Sequence, residues 1–216
     1  MDWAWIVQNQ PLLWQLLWTH VVQSLLPVIV ALVVAIPLGY LVHRTGRFAA
    51  PVLAGFGLIY AIPSLAMFVA LPVFLGTKIL DPLNVMVALG IYSLALLLRS
   101  VVDGFRAVPE QVRQSADAVG YGPLRRFFAV ELPLAIPVIA SGLRVTTVSN
   151  IALVSVGAVI GQGALGRLFD QGFQAGFLTP IIVGLVLSLA LALLADALIV
   201  GGGRLLAPWA GRGQSA

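Results

Sequence analysis

The chain has 216 residues, of which 60% are hydrophobic and 9% charged, and its net charge is +4. An ordinary soluble domain carries about 25% charged residues, so the composition excludes a water-soluble globular protein. Because one helical crossing requires about 20 apolar residues, this length predicts one all-α membrane domain of about five transmembrane helices. The Lys and Arg residues lie between apolar runs, which favours a topological role over nucleic-acid binding.

Five apolar runs follow one another along the chain. The predicted spans are residues 21–42, 49–75, 83–98, 133–160 and 179–200. The second run is longer than one straight crossing requires, and each of its three prolines removes a backbone hydrogen-bond donor. We therefore predict a span that is broken near residues 62–64.

The basic residues indicate the orientation of the spans, because cytoplasmic loops retain Lys and Arg. An N-terminus outside the cell and a C-terminus inside would place these nine on the cytoplasmic side: Arg44, Arg47, Arg99, Arg106, Arg113, Arg125, Arg126, Arg204 and Arg212. Only Lys78 and Arg167 would lie outside. We predict this topology, with residues 207–216 as a short cytoplasmic tail.

Residues 1–20 contain Trp3, Trp5, Trp14 and Trp18. Tryptophan favours the membrane interface, where its ring is in an apolar environment and its N–H remains hydrated. The pattern predicts an interfacial amphipathic segment, which either has a role of its own or only anchors the first span.

The longest polar stretch is the loop of residues 103–132, which we call the coupling loop. Pro109, Glu110 and Gly120 are typical of the start, first turn and end of a helix. Within that helix Val112 and Ala116 form a short apolar stripe with Val119, which something should cover.

A second short helix is predicted to begin at Pro123. Its Leu124, Phe127 and Phe128 would lie against the membrane, while Arg125 and Arg126 face phosphates or solvent. On periodicity alone, the loop could be a pair of surface helices resting on lipid headgroups.

A spacing pattern favours a more specific interpretation. Gln114-Ser115-Ala116, then Gly120, Val130 and Leu132-Pro133, resembles the EAA loop of permease subunits of ATP-binding-cassette (ABC) importers, although Gln114 stands where that family usually has Glu. The resemblance implies a helix that lodges in a groove of a partner ATPase. The coupling residues it implies are Pro109, Glu110, Val112, Arg113, Gln114, Ala116, Asp117, Gly120, Leu132 and Pro133.

Residues 21–206 resemble such permeases throughout. The resemblance implies a single transmembrane domain with the fold of type I ABC importer permeases. The stretches 61–66 (AIPSLA), 88–93 (ALGIYS) and 131–139 (ELPLAIPVI) are similar to permeases for glycine betaine, carnitine and choline, whereas 161–166 (GQGALG) also resembles methionine permeases. The resemblance implies a plasma-membrane complex surrounded by lipid. Its other members would be ATPase subunits, a second permease chain that is identical or paralogous, and an extracytoplasmic binding protein. The ATPase subunits would hold ATP and Mg²⁺.

Some polar residues fall inside the predicted spans. Arg144 would cost about 2.5 to 3.5 kcal/mol to place in lipid, so it should face protein, water or the cytoplasmic interface. Asp196 needs a partner, which could be Arg144 or Arg204. Together with Thr147 and Asn150, they are candidates for the translocation path. His20 and His43 lie at span ends, where we expect them to be interfacial.

The sequence contains no GxxxxGK[ST] phosphate loop, so ATP hydrolysis would belong to a partner. With no Cys and no evident metal-ligand cluster, we predict neither catalytic residues nor a bound metal or cofactor. The leading hypothesis is the permease subunit of an importer for compatible solutes. The alternatives are a methionine or other amino-acid importer permease, an ion-coupled carrier and, last, a membrane-embedded enzyme.

Overall fold

The computed structural model describes residues 1–209, and nearly all of them lie in helices. The α-helices are α1 (Trp3–Gln8), α2 (Gln10–Arg44), α3 (Ala49–Tyr60), α4 (Ser64–Leu75), α5 (Pro82–Arg106), α6 (Glu110–Ala118), α7 (Pro123–Arg126), α8 (Leu132–Val156), α9 (Gly166–Gln174) and α10 (Leu178–Leu206). Arg212 and most of the predicted cytoplasmic tail lie outside the described residues. The predicted all-α fold is confirmed.

Four helical stretches in residues 1–209 are long and apolar enough to cross a membrane, and the bent pair of α3 and α4 can supply a fifth span. The four are α2, α5, α8 with the short helices on either side of it, and α10. All five predicted spans therefore have a counterpart.

The first helix begins earlier than the predicted first span. Only Asn9 separates α1 from α2, and α2 then continues without interruption through residue 21. Leu16 and His20 are already buried, so the first 20 residues contribute to the packed helices of the bundle. The interfacial location of this segment stays a prediction, supported by the exposed rings of Trp3, Trp14 and Trp18.

Helix α5 lies at the centre of the bundle and buries a larger share of its apolar window than the three other long spanning stretches do. Its residues Leu97, Val101 and Phe105 pack with Ala31 and Ala35 of α2 and with α8 in one buried cluster. Small residues allow the helix backbones to approach closely. This cluster ends where α5 enters the coupling loop, so the loop is attached to the rigid core.

The second span is broken at residues 61–63, as predicted. Helices α3 and α4 meet there at 96°. Pro63 precedes α4 in an extended conformation and supplies no backbone N–H, which ends the α3 hydrogen-bond ladder. The break leaves irregular backbone between two twelve-residue apolar helices.

Candidate coupling site

Helix α6 forms the outer part of the coupling loop. Pro109, the predicted first helical residue, is instead the N-cap, so the helix begins one position later, at Glu110. At the other end Gly120 has φ +89°. The N–H of Gly120 donates to the Asp117 carbonyl at 2.9 Å and that of Tyr121 to the Ala116 carbonyl at 3.0 Å. These two bonds form a Schellman motif, which requires a left-handed residue at the position of Gly120.

Arg113 fastens α6 to the ends of two spans. Its Nη2 donates to the carbonyls of Phe105, at 3.1 Å, and Val108, at 2.8 Å. Its Nη1 lies 3.2 Å from Nε2 of His43, near the end of α2. Glu110 stands 3.5 Å from the same guanidinium. A displacement of α6 would therefore pull on α2 and α5 together.

Arg126 links the other side of α6 to the start of α8. Its Nη1 donates to both carboxylate oxygens of Asp117, at 2.5 and 2.6 Å, and its Nε donates to Oε1 of Glu131 at 2.7 Å. The Glu131 side chain is only 2% exposed. The prediction that Arg126 faces phosphates or solvent was wrong, because two carboxylates compete successfully for its donors.

Three aromatic rings support the loop from the side of the core. The ring of Tyr40 in α2 lies 5.1 Å from that of Phe105 and 4.6 Å from that of Phe127, both edge-on. Such contacts contribute about 0.5 to 1.5 kcal/mol beyond area burial. The prediction that Phe127 lies against the membrane was wrong, because its ring packs against those of Tyr40 and Phe105. The side chains of Leu124 and Phe128 are exposed.

The predicted apolar stripe of α6 is divided between two environments. Ala116 is buried inside the chain and Val112 is half-buried, whereas Val119 is 77% exposed. The surface that α6 offers to a partner is therefore mostly polar and includes the exposed side chain of Gln114.

The loop leads into α8 through an unusual turn. Residues Phe127–Glu131 form a π-helix, and Leu132 begins α8 with Pro133 in its first turn. Pro133 has no N–H to donate to the carbonyl four residues earlier, which favours a local change of hydrogen-bond pattern at this point. The Leu-Pro pair of the motif thus marks the junction between loop and span.

The candidate path residues fall into two groups. Arg144 pairs with Asp196 in a bidentate contact between α8 and α10, at 2.6 and 2.9 Å, so of the two predicted partners of Asp196 it is Arg144 that makes the contact. Thr147 and Asn150 are 2% and 1% exposed, and Asn150 donates to the Ser24 carbonyl at 3.2 Å. Within one chain, these two residues face neighbouring helices.

The predicted interfacial environment is absent at His20, whereas His43 does lie at a span end. His20 is fully buried, and its Nε2 lies 2.9 Å from the carbonyl oxygen of Ile151 in α8. His43 is half-buried behind α6 and contacts Arg113. Hydropathy placed both at span ends but carried no signal for these contacts, which join residues 131 and 70 positions apart.

The sequence model of the family described as "binding-protein-dependent transport system inner membrane component" matches residues 31–201. The chain belongs to this family. It is therefore a multi-pass inner membrane protein and a component of a transport system, and the matched range contains the whole coupling loop.

Several named permease proteins are similar to the chain over most of its length. The osmoprotectant import permease protein OsmW of Salmonella typhimurium is 32% identical over 198 residues, covering 90% of this chain and 92% of the relative. The carnitine transport permease protein OpuCD of Listeria monocytogenes is 34% identical, covering 84% and 81%. The choline transport system permease protein OpuBB of Bacillus subtilis is 32% identical, covering 88% and 86%.

The fold of the chain is similar to that of a solved structure. A chain of the inward-facing MetNI methionine ABC transporter superposes with a TM-score of 0.82, covering 95% of this chain and 99% of that one, at 20% identity. At that identity, the likeness establishes the type I permease fold alone.

Proposed function

We propose that the chain is the permease subunit of an ATP-driven importer of compatible solutes, with glycine betaine, choline, carnitine or similar quaternary amines as substrates. The observation that carries this proposal is the similarity, over 84% or more of the chain, to permeases named for osmoprotectants, carnitine and choline. The alternative of a methionine importer is supported by a fold likeness at 20% identity and by the short stretch 161–166, which does not separate the two substrate classes.

In this proposal, α6 docks on a partner ATPase at the cytoplasmic face. Its exposed surface around Gln114 is available for that contact, while its other side is tied to the spans by Arg113 and Arg126. Approach of two ATPase subunits on binding ATP and Mg²⁺ would push on α6, and the two arginine contacts would transmit the displacement to α2, α5 and α8. Hydrolysis would then return the loop to its starting position.

The same proposal requires two permease chains around a shared path and an extracytoplasmic binding protein that delivers the solute. The family description supports the binding protein as a partner. Large exposed apolar residues on α4 and α10, including Val73, Phe74, Leu185 and Leu193, would contact lipid or the second chain. Nucleotide chemistry belongs to the ATPase, so the permease itself catalyses no reaction.

Uptake by the reconstituted complex tests the substrate. Radiolabelled glycine betaine should enter proteoliposomes only with the ATPase, ATP and the cognate binding protein present, and excess choline or carnitine should compete. Methionine should not. Competition by methionine alone would contradict the assignment to compatible solutes, and uptake independent of ATP would contradict an ABC mechanism altogether.

Cross-linking between introduced cysteines tests the docking of α6. The chain has no native Cys, so on the permease side only the introduced residue can react. Gln114→Cys should form a cross-link with cysteines along the ATPase groove, whereas Arg47→Cys, in the exposed turn after α2, should not. Equal cross-linking from both positions would argue against a specific dock.

A further inference from the structure

The break in the second span exposes backbone polar groups, which cannot face the hydrocarbon of a membrane without hydrogen-bond partners. Residues 61–63 are all exposed in the chain, although they separate two apolar helices. No backbone donor of α4 bonds the carbonyls of Tyr60 or Ala61 across the break within the described residues. Irregular backbone at membrane depth persists only where it is covered by protein or lines a water-filled cavity.

The break lies beside the middle of α5. The hydroxyl of Tyr92 donates to the Ile62 carbonyl at 2.7 Å, and Tyr92 lies ten residues after the start of the 25-residue helix α5. At 1.5 Å per residue, the contact is about 15 Å from the end of α5. The exposed carbonyls therefore lie about halfway along a helix that is long enough to cross the membrane.

A small concave pocket surrounds the break, lined by Tyr60, residues 61–64, Tyr92 and Leu153. The ring of Tyr92 is 2% exposed and meets the ring of Tyr60 edge-on, with 5.7 Å between centroids. Tyr60 itself is 40% exposed. Tyr92 thus fixes the position of a second aromatic ring that remains accessible from the pocket.

Both accessible features of the pocket attract cations. The carboxyl end of α3 carries the negative end of a helix dipole and unpaired carbonyl oxygens, and an aromatic ring attracts a quaternary ammonium through its quadrupole. The described residues place no Lys or Arg in the pocket lining. A quaternary ammonium group fits a site made of carbonyl oxygens and an aromatic ring. It carries a positive charge but has no hydrogen-bond donor, so it does not need an acceptor in a fixed direction.

We propose that the break in the second span is a transient binding site for the quaternary ammonium group of the solute, formed by the ring of Tyr60 and the carbonyl end of α3. The site rests on the proposed function and adds to it a point of contact within the path. Binding there is weak, because a path must release its solute, and the separate binding protein performs the tight selection.

The test compares Tyr60→Leu, which removes the ring, with Tyr60→Phe, which keeps it. In the reconstituted complex at saturating binding protein, Tyr60→Leu should lower the import rate of glycine betaine about threefold to tenfold, while Tyr60→Phe stays within about twofold of the wild type. Stimulation of ATP hydrolysis by loaded binding protein should persist in both. Leu58→Ala is the matched control, because Leu58 is exposed on another face of α3.

Several results would overturn the site. Import by Tyr60→Leu at the wild-type rate would show that the ring is not used, and an equal loss in Tyr60→Phe would show that an aromatic face is not sufficient. A parallel loss of stimulated ATPase activity, or a similar loss in Leu58→Ala, would indicate damage to the fold. Failure of the wild-type complex to import any quaternary amine would instead overturn the proposed function, and the substrate class of this site with it.

Discussion

Arg126 forms ion pairs with two acidic residues in different parts of the coupling loop. One guanidinium joins Asp117 of α6 to Glu131 at the entrance of α8, and its planar, forked donors suit two carboxylates in a way that a lysine ammonium would not. Since Glu131 is buried, the pair is sensitive to loss of either partner. Removing the arginine leaves a buried carboxylate without its main donor.

We therefore expect Arg126→Met to lower the free energy of unfolding by about 1 to 3 kcal/mol and to reduce transport per ATP hydrolysed. Adding Glu131→Gln should recover part of the stability, because it removes the unpaired charge while keeping the shape. Thermal unfolding of the purified variants in detergent measures both effects. The neighbouring Arg125→Met, at an exposed position, serves as the control, and an equal loss there would contradict the role given to Arg126.

A second prediction concerns Gly120, which ends α6. No other atom lies within 4 Å of a Cβ built at this position, so only its φ of +89° restricts the residue. Gly120→Val should cost about 1 to 2 kcal/mol in the left-handed conformation and uncouple ATP hydrolysis from uptake by loosening the end of α6. Gly120→Asn should remain close to the wild type, because Asn tolerates this conformation. Identical behaviour of the two variants would show that the Schellman motif has no part in coupling.

At the scale of helices, α5 and α8 cross closely at Gly142. A Cβ at Gly142 would overlap the side chain of Ser100, and small residues at such a crossing allow close backbone packing between transmembrane helices. Ser100 makes only a long bond, 3.3 Å, to the Leu96 carbonyl of its own helix. The two positions therefore form a pair whose volumes can be exchanged.

We expect Gly142→Ala to destabilise the bundle by about 1 to 3 kcal/mol through overpacking, and Ser100→Gly in the same chain to restore most of the loss. The measurement is the unfolding temperature of the purified protein. Gly55→Ala is the control, because nothing lies within 4 Å of a Cβ at that exposed helical position. A failure of Ser100→Gly to compensate would contradict the close contact.

Local sequence patterns predicted the positions of the helices well, but they predicted poorly which side chains contact one another between helices. The apolar runs, the prolines near residue 63 and the Pro109-to-Gly120 spacing were sufficient to predict five spans, the break and α6, because each depends on nearby residues. The burial of His20 and the pairing of Arg126 depend on side chains brought together by the bundle. Hydropathy also placed the edge of the first span directly after His20, although α2 continues through that position.

At the scale of the whole molecule, the two ends of the bundle have different character. One end carries the coupling loop, the basic end of α2 and the last turn of α10. The other end carries α9 and α1. Helix α1 is joined to the start of α10 by the hydrogen bond from the Asp2 N–H to Thr179 Oγ1, at 2.9 Å, and by the edge-on rings of Trp5 and Phe177. Arginines concentrate at the first end, which predicts that it faces the cytoplasm.

Two single-cysteine variants test that orientation. Arg47→Cys lies in the turn after α2, and Gln171→Cys on α9 at the opposite end, and both positions are exposed. In intact cells with a permeabilised outer envelope, a membrane-impermeant maleimide should label Gln171→Cys and leave Arg47→Cys unmodified; in inside-out vesicles the pattern should reverse. Because the native chain has no Cys, any label reports the introduced residue. The reversed pattern would place α6 outside the cell, where no ATPase could reach it, and would contradict the coupling mechanism together with the topology.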